Sequence, residues 1–175
     1  MQTSWTADDS IQIMEKTKTA PCGFMNEQEM KTLQWLNIAR MYPAWYVHIN
    51  QLKLSNDPYE KSLFLKLNSM EPIKTKIETD SMLWISALCH AKSSGEKAYI
   101  GHERQDTSCK MNLSAECCYF GGGKPQSVIY KLLLDHGVLS LGHRKICLDP
   151  NLSKIGISIM PHNGKFKKIA VLDFK

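Results

Sequence analysis

No stretch of this chain is apolar for long enough to span a membrane, which argues against an integral membrane protein. The first residues, MQTSWTADDSIQ, lack the basic-then-apolar start of a secretory leader. The chain is therefore either intracellular or a mature segment opening on an added Met1. No CxxC pair occurs, so the usual zinc and redox spacings are missing. FGGGKPQ lacks the spacing of a phosphate-binding loop, and its glycines read as a turn. There is neither an HExxH pair nor a GxSxG elbow, which removes the commonest metallopeptidase and serine-hydrolase signatures. The net charge of +5 is modest. Its lysines (Lys16, Lys18, Lys74, Lys76, Lys165, Lys167, Lys168) are scattered and form no stripe interleaved with aromatics, an argument against nucleic acid as a partner.

What is present reads as one globular domain. At 175 residues, 43% hydrophobic and 22% charged, the chain is long enough to bury a core, and it shows no internal repeat. Its six cysteines (Cys22, Cys89, Cys109, Cys117, Cys118, Cys147) fit an exported, partly disulfide-bonded protein. Six allow fifteen complete pairings, and the sequence does not choose among them. Cys117 and Cys118, being adjacent in a strand, are expected on opposite faces.

The first 25 residues read as an N-terminal arm, with the domain proper over 26–175. NEQEMKTLQWLNIARMY predicts a helix opened by an Asn26/Glu29 capping box, with Met30, Leu33, Leu36 or Asn37, and Arg40 on one face. Pro43 starts a further helical piece, and DPYEKSLFLKLNSM reads as another with Pro58 in its first turn. TDSMLWISALCHAKSSG is the clearest helix, capped by Asp80 or Ser81 and closed by Gly95. AECCYF reads as a strand and PQSVIYKLLLDHG as a helix. KIGISIMPHNGKFKKIAVLDF predicts a hairpin turning at Asn163-Gly164, where the tight turn would need positive φ angles. The order of elements places the fold in the α+β class or among α-β-α sandwiches, with an antiparallel sheet and not a parallel doubly wound one.

A histidine-and-acid set carries the candidate chemistry. His102 and His143 each follow a glycine, and Glu116 is a lone acid inside an apolar strand, costly to bury unless paired, hydrogen-bonded or metal-bound. His48 and His90, on helices with apolar neighbours, read as packing or surface residues. His136 reads as a helix-end cation and His162 as exposed. Trp35, Trp45 and Trp84 read as core. Arg144 reads as an anchor for a loop or a helix end.

LNIARMYP, LCHAKSSGEKAYIGHERQD, AECCYFG, LLLDHGVLSLGHRKICLDP and the terminal KIGISI…KIAVLDF together resemble the CAP superfamily, that of cysteine-rich secretory proteins, antigen 5 and pathogenesis-related 1. The likeness is to its bacterial-type branch and runs over about Asn26 to Phe174. It implies a three-layer α-β-α sandwich with a small antiparallel sheet and a cleft holding two histidines and two acids. His102 and His143 match the histidines and Glu116 the acid of the Gly-Glu-Asn segment, here Ala115-Glu116-Cys117. Asp135 stands where many relatives carry a glutamate. The resemblance, with the cysteine count, implies an extracellular or periplasmic protein. Two imidazoles and one or two carboxylates suit zinc or another divalent ion in an open, exchangeable site. The expected function is a non-enzymatic binding module for a divalent cation, a lipid or a protein partner. The alternative is a metal-assisted, peptidase-like hydrolase with Glu116 as general base and the histidines as ligands.

Overall fold

A computed structural model of the chain describes residues 5–109 and 112–175. Its helices begin where the sequence offers a side-chain acceptor for the first free amides, or a proline with no amide to satisfy. Thr6 and Asp9 form a capping box that opens α1 (Ala7–Thr17), and Asn26 with Glu29 does the same for α2 (Glu27–Met41). Pro43 and Pro58 occupy the first turns of α3 (Pro43–Ile49) and α4 (Pro58–Ser69), where a missing amide costs nothing. Asp80 caps α5 (Ser81–Glu96) by accepting from the amides of Met82 and Leu83. Pro125 opens α6 (Pro125–Leu134), and α7 (Gly142–Cys147) is a short helix that the sequence pattern did not announce.

The segment expected as an arm thus contains a helix; its residues 1–4 lie outside the described residues. Helix α1 packs on α2, with Gln34 Nε2 donating to the Met14 carbonyl at 2.7 Å and Ile13 buried.

Four strands form one sheet in the order β1-β3-β4-β2: β1 (Glu78–Thr79), β2 (Ala115–Phe120), β3 (Lys154–His162) and β4 (Lys167–Phe174). The class is α+β, as expected. The sheet is mixed where an antiparallel one was expected, because the two-residue β1 runs parallel to β3. The hairpin β3–β4 forms, but its connection is the four residues 163–166. The left-handed angle falls on Lys167 (φ 67°) and not on Gly164. Gly164 is required for space: a Cβ there would meet the His162 ring at 2.8 Å. His162, expected to be exposed, is buried, donor and acceptor both used, between the Gly164 amide and the Tyr99 carbonyl.

The alternation of side chains along the strands serves two cores. Cys117, Leu172, Ile157 and Phe174 join Leu33, Leu36, Ile129 and Leu133 of α2 and α6 in the main cluster. Cys118, Val171 and Ile169 face Ala87 and Ala91 of α5 in the smaller one. The adjacent cysteines therefore do point apart. Trp45 is core, while Trp35 and Trp84 pack at its margin.

Three contacts fix α2 and α5 against β3. Glu29, besides capping α2, accepts the Ile159 amide at 2.9 Å, and burial raises its carboxyl above the usual range. Gly95 does not close α5. It lies in the last turn, where a Cβ would stand 2.1 Å from the Pro161 carbonyl oxygen, and its own carbonyl accepts the Asn163 amide. A Cβ on Gly156 would stand 2.0 Å from the Trp84 amide nitrogen. Fully buried Arg40 completes the frame by donating to the carbonyls of Cys147, Asp149 and Leu152, pinning the chain between α7 and β3. Among the described residues no helix is long and apolar enough to cross a membrane.

Since only backbone faces Gly156, Gly156→Ala must push α5 off the sheet. We expect it to destabilise the protein by about 3 kcal/mol or more, the upper end of overpacking costs, measured by urea unfolding.

Candidate functional site

His143 is placed by the junction between α6 and α7. Asp135 ends α6 in the left-handed conformation (φ 54°), and its carboxylate turns to the chain that follows. Its Oδ2 accepts the amides of His143 and Arg144 at 2.9 and 3.3 Å, and its Oδ1 meets His143 Nδ1 at 2.7 Å. Arg144 satisfies the end of α6, donating to the Leu133 and Leu134 carbonyls, and reaches α4 at Ser62 and the Tyr59 carbonyl. It is the anchor that the sequence led us to expect. The glycine before His143 does not supply a left-handed turn. Gly142 is the first residue of α7, and the left-handed position belongs to Leu141 (φ 51°).

His102 sits on the 97–114 connection between α5 and β2. Here the preceding glycine is needed: Gly101 has φ +154°, and a Cβ would meet the Tyr99 hydroxyl at 2.5 Å. The Cys89–Cys109 disulfide ties this connection to α5, and Lys97 Nζ donates to the Gln105 carbonyl across it.

Glu116, on β2, gathers the rest. Its Oε1 meets His102 Nδ1 at 2.8 Å, and its Oε2 meets His90 Nδ1 at 2.9 Å and Arg104 Nη2 at 2.7 Å. Arg104 also pairs with Asp173 at 3.2 Å and reaches Ser86 on α5. Glu116 and Asp173 are directly opposed in the β2–β4 register. Although burial opposes it, the His102 and His90 bonds and the Arg104 charge hold the Glu116 carboxyl well below the usual range. Asp173 is fully buried and moves the other way, to about 7, from desolvation and the neighbouring Glu116 charge. The Glu116 bond likewise raises the His102 pKa.

The structure thus places the four expected residues together as two histidine–carboxylate pairs, His102–Glu116 and His143–Asp135. The two rings lie 6.3 Å apart between centroids, inclined by 30°. The His102 side chain is 58% exposed and that of His143 23%, against 9% for Glu116 and 1% for Asp135. Solvent therefore reaches the rings while the acids stay beneath them. Because each carboxylate takes an Nδ1, the Nε2 atoms are the ring nitrogens left for a ligand.

Sequence reasoning missed three members of the network. His90 is not a packing residue alone: it is fully buried on α5 and bound to Glu116, with its Nε2 left without a partner. Its place on the Leu83–Ala87–Ala91 face was a usable signal. Asp173 is a lone acid in the apolar run IAVLDF, the same mark that singled out Glu116. Arg104 follows His102 by two positions and carried no such mark. Two further histidines are peripheral: His48 is exposed, and His136 lies against Tyr59 with its Nε2 3.5 Å from Asp57.

Among the described residues two groups of potential metal ligands occur, Cys89, Asp106 and Cys109 in one and His90, Glu116 and Cys118 in the other, the ligand atoms of each group lying within 4.8 Å of one another. In the first, both cysteines are joined in the disulfide. In the second, the Arg104 guanidinium already neutralises Glu116, and burial with the Glu116 charge raises the Cys118 thiol far above its usual range, keeping it protonated.

The two buried acids should make stability depend on pH in opposite senses. Glu116, with a lowered pKa, contributes stability that is full above its unfolded value of about 4.5 and fades as pH falls. Asp173, with a raised pKa, contributes stability that is full below 3.8 and is lost as pH rises through about 7. Urea unfolding from pH 4 to 8 should therefore show wild type losing stability relative to Asp173→Asn as pH rises. Comparison of the chain with family models, with curated proteins and with solved structures finds no match.

Proposed function

We propose that the chain is an exported CAP-type binding module whose His102–His143 pair takes a divalent cation such as zinc in an exchangeable site. The resemblance named above supplies the family, and the α-β-α sandwich of that family is our reading of helices lying against both faces of the sheet. One observation carries the site: two solvent-reached imidazoles with ring centroids 6.3 Å apart, each with its Nδ1 held by its own buried carboxylate. That is the arrangement by which outer partners fix the tautomer and orientation of metal-binding histidines.

The donor set fits such an ion. Zinc–nitrogen bonds are about 2.0–2.1 Å, so the two rings would share one ion by turning both Nε2 atoms to a point between them. Glu116 and Asp135 then serve as orienting groups beneath the rings and not as ligands. A bound divalent ion would supply a Lewis-acid position with exchangeable water. The same geometry weighs against the hydrolase alternative. A general base needs a free lone pair at a suitable pKa, whereas Glu116 is engaged by His90, His102 and Arg104 and held strongly ionised.

A cavity of about 560 Å³ between α4 and α7, lined by Leu141, Leu148 and Pro150 with Lys66 and Lys145 beside them, offers room for a lipid or a segment of a partner protein. Placement outside the cytosol rests on the Cys89–Cys109 disulfide, since such bonds persist in oxidising compartments.

The test is zinc titration by calorimetry on the metal-stripped protein. One equivalent should bind, and His102→Ala or His143→Ala should weaken binding at least tenfold. Asp135→Asn should weaken it about 10–100-fold by releasing the His143 ring. Binding should fall as pH drops below about 6.5, because the imidazoles protonate. The bond to Glu116 raises the pKa of His102, so that ring begins to protonate at a higher pH than a free imidazole. Equal affinity in wild type and His143→Ala would reject the paired site.

A further inference from the structure

Cys117 and Cys147 belong to no part of the site just described, and both are wholly buried in the main core. Cys117 lies on β2, beside Glu116, with its side chain turned to the face opposite Cys118. Cys147 closes α7, the helix that carries His143. The two elements pack directly on one another. Cys117 Sγ lies 3.8 Å from the His143 carbonyl, the group at which the last turn of α7 brings Cys147 into register. Burial raises the Cys117 thiol, and the neighbouring Cys147 thiol adds to that shift. Arg40, donating to the Cys147 carbonyl, fixes the end of α7 in this place.

The other cysteines offer no rival partner. Cys89 and Cys109 are bonded to each other, Cys22 lies against Met30 Sδ at 3.8 Å, and Cys118 faces α5.

We propose that Cys117 and Cys147 are a second disulfide site, closed in an oxidising compartment to staple β2 to α7. The reaction is an exchange with a disulfide-bearing thiol oxidant. One cysteine, as thiolate, attacks a sulfur of the oxidant and forms a mixed disulfide; the second displaces it. The new S–S bond forms, and the two sulfurs of the oxidant leave as thiols with the two protons and two electrons of the cysteines. The step belongs to folding. Before β2 and α7 meet, both thiols have ordinary acidity, about 8.5; once packed, they are shielded.

The consequence reaches the histidine pair. Glu116 on β2 orients His102, and α7 carries His143, so the cross-link joins the two supports of the pair by covalent bonds. The inference does not depend on the metal reading, and its test does not use zinc.

The experiment is thiol counting on the full chain exported to a bacterial periplasm. The protein is unfolded in guanidinium with excess iodoacetamide and no reductant, and its intact mass gives the number of adducts. With both disulfides closed, only Cys22 and Cys118 react, so two adducts are expected. Four adducts would overturn the proposal, because they leave Cys89–Cys109 as the single bond. Variants identify the partner: Cys118→Ser should take one adduct and Cys117→Ser three. The reverse order would assign the bond to Cys118 and also overturn the proposal. In thermal melts Cys117→Ala, Cys147→Ala and the double variant should each fall by the same amount, roughly 5–10 °C. That gap should shrink when all are refolded in reductant. A gap unchanged by reductant would assign the loss to packing alone. The count on wild type decides the matter even if a variant does not fold.

Discussion

A carboxylate buried in the seam between α5 and the sheet sets the terms for everything around it. Glu116 cannot remain ionised there without compensation, and its partners come from three separate parts of the chain: His90 from α5, and His102 and Arg104 from the connection that follows it. Satisfying one charge therefore orders the connection after α5, whose described residues form no helix or strand. Asp173, opposite Glu116 on β4, competes for Arg104 and yields by moving toward its neutral form. Buried ion pairs of this kind contribute little net stability, yet breaking one costs about 3–5 kcal/mol. The network thus specifies which loop conformation accompanies the folded sheet.

The two histidines reach the same condition by different routes. His102 is held by a loop tied down at a disulfide, an arginine and a strand carboxylate. His143 is held by a helix end, where Asp135 adopts a left-handed conformation and uses both oxygens on the turn that follows. In each case the acid is shielded and the ring is wet. That division of labour keeps one ring nitrogen committed to the protein and leaves the other to solution.

Much of this was legible in the chain. Capping signals at Asn26, Asp80 and the three helix-opening prolines placed five helices correctly, because caps and prolines act locally and need no tertiary context. His102, His143 and Glu116 were found by combining a lone strand acid with glycine-preceded histidines, and Asp135 by the resemblance alone; of the two glycines, only Gly101 has the positive φ that favours glycine. The left-handed residues near His143 are Asp135 and Leu141, whose strain is supported by hydrogen bonds and packing that no local pattern displays. Gly95 and Gly156 looked like punctuation or neutral positions. Their cause is the approach of α5 to β3, a distance that exists only in the folded chain. His90 and Asp173 were visible as polar residues on apolar faces, and what was missing was the rule that such residues come in pairs.

The outer side of β3 has a consequence for solubility. Among the described residues strand β1 covers it only at Lys154 and Ile155, so the rest has no strand neighbour, and an edge of that kind can accept a strand from a second molecule unless it is blocked. Amides face that side at every second residue. The one at Ile159 is taken by Glu29, the next position is Pro161, which has no amide, and the one after, Asn163, donates to Gly95. The capping box of α2 and the last turn of α5 therefore double as blockers of intermolecular strand pairing. Glu29, chosen at first sight to start a helix, also helps to keep the chain from aggregating along its sheet.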